Sequence, residues 1–362
     1  MDKYIGFDID DKKTIACVIE QGKQERYQKL DTDIKAMRTY LKQQKTTDCR
    51  IHLTFEVSGQ AGYLYDSLHG YADTITVNNP SQMTWIYRTS KKNDRIDARK
   101  QALLLSIGEI PKVHMPSRRI RQWRNSIQHR RRLIGRIVQI KNRIRSLIKS
   151  RGYKKPIHSG SWWKPENRWW MQGLSTGRIT SLQLWRMQLG DLLDELALLE
   201  QQCKRMTDYL DSFLNQNPAA TLLMTIPGVG PRTAEAVLAY TDDIKRFGRT
   251  KQYCAYFGVT PKLDESGTTR RLGHISKQGP SVVRWLVAES AWQIIRKSPA
   301  MKTFYERVMT GQPSRKKIAV VAVMRKILGI MRAMLITGEL YNENLVCREC
   351  QSEESEILKQ TA

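Results

Sequence analysis

The chain has 362 residues, with 61 Lys and Arg against 35 Asp and Glu, a formal net charge of +26. A charge that large points to a polyanionic partner, and nucleic acid is the commonest. Mean hydropathy is −0.52 and no apolar run approaches the ~18 residues of a membrane span. A membrane protein is therefore excluded. The six cysteines are scattered along the chain and form no disulfide framework. The chain opens on a strand-like "MDKYIGFDID" with no leader pattern, and a reducing cytoplasm is the expected compartment.

"KYIGFDID" alternates Ile5, Phe7 and Ile9 with Gly6, Asp8 and Asp10, the period of two of a strand. "KTIACVIE" predicts a second strand, and "ERYQKLD" a shorter third. "DIKAMRTYLKQQ" places Ile34, Met37, Tyr40 and Leu41 at helical spacing. A strand "RIHLTFEVSG" follows, ending at Glu56, then a helix in "GYLYDSLHGY" and a short strand in "TITVNN". A helix carrying "NDRIDARKQALLL" comes last. Three strands before the first helix predict a mixed sheet with helices packed on it. This first domain is assigned to residues 1–117.

Residues 118–217 read differently. No acid occurs from Ile110 to Pro165, and fifteen Lys or Arg lie between Arg118 and Lys155. Positions 120, 123, 127, 130, 134, 137, 141, 144 and 148 are mostly apolar, predicting a long amphipathic helix with a basic outer face. Solvated faces usually mix signs, whereas this one does not. Arg118, Arg119, Arg124, Arg131, Arg132, Arg136 and Arg143 are its candidate phosphate contacts. A loop with Trp162, Trp163, Trp169 and Trp170 among cations follows. These rings can stack on unpaired bases or pack against the body of the protein. Then positions 182, 185, 189, 192, 196, 199, 203, 206, 210 and 213 are all apolar, a coiled-coil pattern. An antiparallel pair with the basic helix is its simplest use.

Residues 218–337 open on "TIPGVGPRTAEAVLAY". Gly228 and Gly230 before an Ala-rich helix suggest a helix-hairpin-helix, whose backbone N–H groups approach phosphate. An ordinary tight turn between packed helices is the alternative. In the basic stretch that follows, Ser266 in "DESGTTRRLG" lies beside Gly267 in an expected flexible loop. Ser276 in "HISKQG" precedes a helix and can serve in its N-cap. Arg270, Arg271 and Lys277 are placed to steady phosphoryl charge. The tail, 338–362, is acidic, and its Cys347–Cys350 pair is too few ligands for a zinc site.

Asp8 and Glu56 lie on apolar strands, while Asp94 and Asp97 are three apart on a helix and share a face. Each alone reads as a surface or ion-paired acid. Together, in this order, they read as oxygen ligands for divalent cations. Asp10 and Asp11 are read as solvated turn residues.

"GFDID", "FEVSG" and "NDRIDARKQALLL" resemble the Asp-Glu-Asp-Asp motifs of DEDD transposases of the insertion-sequence-110 type, relatives of the Piv DNA invertase. The block from "KQYCAYFGVTPKLDESG" onward, and "SRKKIAVVAVMRKILGIMRAML", resemble the C-terminal domain of the same family. The resemblance implies a ribonuclease H-like, RuvC-like mixed-sheet domain, a helical coiled-coil segment and a mainly helical C-terminal transposase domain. It carries the metal ligands onto Asp8, Glu56, Asp94 and Asp97, with magnesium, two ions per site, as the cofactor. It places a serine nucleophile on Ser266, with Ser276 as runner-up, water remaining the alternative attacker. It further implies DNA partners (element ends and target), a junction intermediate, a guide non-coding (bridge) RNA, and a homodimer or tetramer. Three rivals stand beside this reading. One is a Piv-like invertase. Another is a hydrolytic junction resolvase using the same acids with water. The third is a catalytically idle nucleic-acid-binding protein.

Overall fold

The computed structural model describes residues 1–20, 24–82, 93–156, 160–176, 183–266 and 269–343, with the backbone alone for 263–266 and 269–272. The Cys347–Cys350 pair and most of the acidic tail lie outside the described residues. The chain divides into two compact units, Met1–Arg121 and Gln122–Ala362.

The first unit is a five-stranded sheet with helices on both faces. Its elements are β1 (Asp2–Ile9), β2 (Lys13–Glu20), β3 (Arg26–Asp31), α1 (Ile34–Gln44), β4 (Arg50–Glu56), α2 (Ala61–Leu68), β5 (Thr74–Asn78) and α3 (Asp94–Ser106). Strand order is β3-β2-β1-β4-β5, with β1–β2 and β2–β3 antiparallel and β1–β4 and β4–β5 parallel. The mixed sheet and the element order agree with the expectation from periodicity. Ile5, Phe7, Leu53 and Phe55 pack with Met37, Tyr40 and Leu41 of α1 and Leu64 and Leu68 of α2. The opposite face is covered by α3, where Ala98 and Ala102 meet Ile15 and Cys17 of β2. Because both faces of β1 are covered, Ile5, Gly6 and Phe7 are all buried.

The second unit is helical. α4 (Arg118–Ser150) opens at the division, and α5 (Pro165–Ser175) and α6 (Trp185–Asn215) follow. α4 and α6 run antiparallel. Trp123 meets Phe213 at one end, Lys141 pairs with Glu200 in the middle, and Tyr153 meets Trp185 at the other end. The buried residues of α4 are Trp123, Ile127, Leu133, Ile140, Ile144 and Ile148. The seam therefore departs from the expected heptad in the middle, where Leu133 and Ile140 turn inward and Ile134 and Ile137 stay half-exposed. A straight helix drifts against a strict seven-residue repeat, and such a phase shift accommodates the drift.

The Trp-rich stretch is not wholly a loop, since α5 carries Trp169 and Trp170. Trp162, Trp163 and Trp170 pack on the α4–α6 core. Trp169 alone stands out, at 70% exposure.

The rest of the unit comprises α7 (Pro218–Met224), α8 (Pro231–Thr241), α9 (Thr250–Tyr256), the hairpin β6 (Pro261–Ser266) and β7 (Thr269–Ile275), α10 (Ser281–Lys297), α11 (Pro299–Met309) and α12 (Lys316–Thr337). α8 is buried along almost its whole length. Among the described residues, no helix is long and apolar enough to cross a membrane.

Candidate functional site

Asp8 is the penultimate residue of β1 and Glu56 is the last of β4; both are half-buried. The strands are parallel with Phe7 opposite Phe55. The two rings enter the α1–α2 core, so the next pair, Asp8 and Glu56, alternates to the face that α3 covers. They leave the sheet side by side at the carboxyl ends of neighbouring parallel strands. Asp94 and Asp97 occupy the first turn of α3, after Asn93, whose side chain accepts the Arg95 N–H at 3.0 Å and caps the helix. The positive end of the helix dipole favours carboxylates there.

Gly6 sets how close α3 lies. A Cβ on Gly6 would fall 2.3 Å from the Ala98 carbonyl and 2.8 Å from the Ala102 nitrogen, both helix backbone. Gly6→Ala must therefore lift α3 from the sheet. The expected cost is roughly 1–3 kcal/mol, read as a lower midpoint in thermal circular dichroism.

Two further groups tie the acids together, and sequence reading missed both. Lys13, at the start of β2, donates from Nζ to Asp94 Oδ2 at 2.5 Å. That hydrogen bond and the Asp94 charge, with Asp10 and Asp8 adding, raise the Lys13 ammonium above its usual range. Gln101 of α3 is fully buried, its Nε2 3.5 Å from Glu56 Oε1, while its Oε1 accepts from Asn78 Nδ2 at 3.1 Å. Asn78 also reaches Thr54 Oγ1 at 3.1 Å. No periodic pattern flags a lone Lys, Gln or Asn; only the register and the helix seat bring them together. Among the described residues no three His, Cys, Asp or Glu side chains are gathered to hold a metal ion. Asp8 and Glu56 end neighbouring strands on the face that α3 covers, and Asp94 and Asp97 lie in the first turn of that helix.

Along α4 the basic face is less uniform than expected. Arg118, Arg119, Arg132 and Arg143 are exposed. Arg136 pairs with Glu195 at 3.4 Å. Arg131 lies 5.4 Å over the Trp285 ring. Arg124 departs from the outward reading. Its Nε donates to the Ala239 carbonyl at 2.7 Å and its Nη2 to that of Tyr240 at 3.1 Å. These are orphan carbonyls at the end of α8, and a guanidinium satisfies them.

Gly228 has φ +90°, and a Cβ there would fall 2.7 Å from Gln293 Cβ and 2.9 Å from the Ile294 nitrogen. Close approach to α10 thus accounts for this glycine without a phosphate. A Cβ on Gly230 would meet nothing within 4 Å.

Glu235 on α8 is 1% exposed, accepts from Trp123 Nε1 at 3.1 Å, and lies 3.0 Å from Arg232 Nη1. Burial outweighs the guanidinium and pushes its carboxyl up to about 7. Folding thus favours the protonated form. This contribution is full below about pH 4.5 and is lost as pH rises through about 7. Glu235→Gln should therefore gain stability over wild type across that window, by roughly 3 kcal/mol at its top, in denaturant unfolding repeated at several pH values.

The serines are placed differently from the sequence reading. Ser266 is the last residue of β6, paired with Thr269, rather than in a loop. Its side chain, like those of Arg270 and Arg271 on β7, is outside the described residues. Ser276 is no N-cap, since α10 starts at Ser281 behind Pro280. Its N–H donates to the Thr260 carbonyl at 2.9 Å, and its Oγ is buried without a hydrogen-bond partner among the described residues. Exposed Lys277 beside it has φ +54° and donates its N–H to Gly258. A Cβ on Gly258 or Gly279 would collide with backbone oxygens at 2.1 and 2.0 Å. The base of the hairpin is a close backbone crossing.

Comparison with known proteins gives this arrangement a family. Residues 5–151 match the DEDD-type IS110 model, described as a transposase, and residues 220–306 match the transposase IS116/IS110/IS902 family. A probable family 20 transposase of Pseudomonas aeruginosa is 28% identical over 42% of this chain and 46% of its own length. A transposase for insertion sequence element IS1111A of Coxiella burnetii is 25% identical over 80% of this chain and 79% of its own. The pilin gene-inverting protein of Moraxella lacunata is 28% identical over 36% of this chain and 40% of its own. The match thus spans less than half of the Pseudomonas and Moraxella proteins. With both matched regions in one chain, in unit one and unit two respectively, this protein belongs to the IS110 family of insertion-sequence transposases.

Proposed function

We propose that the protein is a DNA recombinase of an insertion sequence, which cuts DNA strands and rejoins them to new ends. The observation that carries this reading is the placement of Asp8 and Glu56 at neighbouring parallel strand ends on the face that α3 covers, with Asp94 and Asp97 in the first turn of that helix. The family match supports a divalent-metal requirement, and the donor set fits it, being all carboxylate. A cation already sits against this set, since Lys13 neutralises Asp94. Asp8, Glu56, Asp94 and Asp97 would hold magnesium, two ions per site, which when bound supplies charge stabilisation at the scissile phosphate.

The chain's own groups account for the rest. The Ser266 hydroxyl oxygen attacks phosphorus, and the bond from phosphorus to the strand's bridging oxygen breaks. The serine proton passes to solvent and the departing oxygen takes one up, leaving a phosphoserine ester and a free strand hydroxyl. The reverse step, by the hydroxyl of another strand, restores a phosphodiester and the serine. One ester replaces another, so no external energy source is required. Arg270, Arg271 and Lys277 act on the pentavalent charge. The exposed arginines of α4 (Arg118, Arg119, Arg132 and Arg143) hold phosphate backbone. A non-coding guide RNA from the element pairs with donor and target DNA, and two or four copies of the chain assemble on it. This assembly reading rests on the family resemblance and on the acid-free basic stretch from Ile110 to Pro165.

The test is a denaturing gel. Purified protein, RNA transcribed from the element's flanks, magnesium and nicked DNA spanning the element junction should yield DNA covalently linked to protein. Cut DNA with no adduct would move the protein to hydrolytic chemistry. A second reading, inversion of a DNA segment, is favoured by the pilin gene-inverting relative. It uses the same chemistry and is separated by scoring recombination on a plasmid with inverted sites.

A further inference from the structure

Within the second unit, α4, α6, α8 and α10 enclose a cleft of about 220 Å³ that none of the roles above uses. Its walls are mostly apolar side chains such as Ile127, Leu210 and Val282, and Trp285 stands at its edge, 44% exposed. Glu235 and Arg232 line it from α8, while Arg130 and Arg131 line it from α4.

Gly135 gives the cleft its significance. It sits inside the 33-residue helix α4 and also lines the cleft. A glycine inside a helix costs about 1 kcal/mol relative to alanine. Glycine is usually kept there for a positive φ or for close packing. Gly135 has neither reason: its φ is not positive, and a Cβ there would meet nothing within 4 Å. Gly135 is itself exposed, so its missing side chain leaves the mouth of the cleft open at a cost to the helix.

Size and charge say what enters. An apolar cavity of about 150 Å³ already takes benzene, so this one admits a larger flat ring. The cations at its rim are Arg130 and Arg131, on a helix that carries no acid at all, while Arg232 is paired with Asp211 and Glu235. An aromatic ring attached to phosphates satisfies both conditions, whereas an apolar protein side chain satisfies only the first.

We propose that this cleft is a binding site for a single unpaired nucleobase, whose flanking phosphates are met by the rim arginines. The inference rests on the nucleic-acid reading above and adds a base-specific contact to it. Trp285 supplies the stacking surface that Arg131 covers in the free protein. At the floor, Arg232 Nη1 is buried and, among the described residues, makes no hydrogen bond of good geometry, although it lies 3.0 Å from Glu235. A buried donor is thus present to meet an acceptor on a base edge.

Fluorescence anisotropy at fixed salt tests this with hairpins carrying one bulged nucleotide, or an abasic residue at the same position. Each is made as RNA and as DNA. Wild type should prefer the base-bearing bulge by about tenfold, within the range of base–aromatic stacking, and the RNA and DNA arms show which strand supplies it. Gly135→Leu, which fills the cleft, and Trp285→Ala should abolish the preference while still binding the abasic hairpin. Gly135→Ala should keep the preference and melt higher than wild type. Equal binding of bulged and abasic hairpins by wild type overturns the proposal alone. A preference that survives Gly135→Leu does the same. Failure to bind any hairpin overturns the nucleic-acid reading with it. If only the oligomeric mass changes in Gly135→Leu, the cleft takes a second copy of the chain and the proposal falls.

Discussion

Asp8→Asn should abolish magnesium-dependent strand cleavage, by about 10³-fold or more, while the protein stays folded. The change is isosteric and sits at the end of β1, where half-exposure leaves the core untouched. Its effect is electrostatic. A carboxylate is exchanged for a neutral amide in a site that must hold divalent charge, and losing several kcal/mol of charge stabilisation is a rate loss of this size. Asp10→Asn is the control. Asp10 is exposed in the turn after β1 and also acts on Lys13, so a merely general loss of negative charge would impair both variants. Cleavage of a junction-spanning DNA, timed over a range of magnesium concentrations, decides it. Wild-type cleavage by Asp8→Asn would remove the acidic face from the chemistry.

Ser266→Ala should lose the protein–DNA adduct completely, and Ser276→Ala should keep it. The structural contrast lies at Ser276, whose Oγ is buried and unpartnered in the backbone crossing at the hairpin base. A hydroxyl held there cannot reach a phosphate without opening that crossing. Removing it takes away a buried polar group that makes no bond, so Ser276→Ala should be neutral or slightly stabilising, within about 1 kcal/mol. Ser266 ends β6 at the tip side of the same hairpin. An adduct lost only in Ser276→Ala would reverse the assignment. Cleavage indifferent to both serines would make water the nucleophile.

Periodicity was enough for the layout of the first unit. The alternation of "KYIGFDID" and the apolar run of "RIHLTFE" mark strands, and three strands before a helix require some antiparallel pairing. It was enough also for the presence of α4 and α6 as long amphipathic helices, though not for the residues of α4 that turn inward. The acids were proposed by motif, since residue type and order survive without coordinates of any kind. What periodicity cannot carry is long-range register. Lys13 and Asp94 are 81 residues apart and meet only because β2 pairs with β1 while α3 lies across both. Gln101 and Asn78 became visible only once the helix seat on Gly6 was known. Arg124 looked like one more surface cation until the end of α8 came beside it. The sequence by itself determined the strands, the long helices and the charge, because these depend on neighbours within a few turns. The tertiary structure alone decided that Lys13 meets Asp94, that the Ser276 hydroxyl is buried and where a cleft stays open, because each depends on residues far apart in the chain.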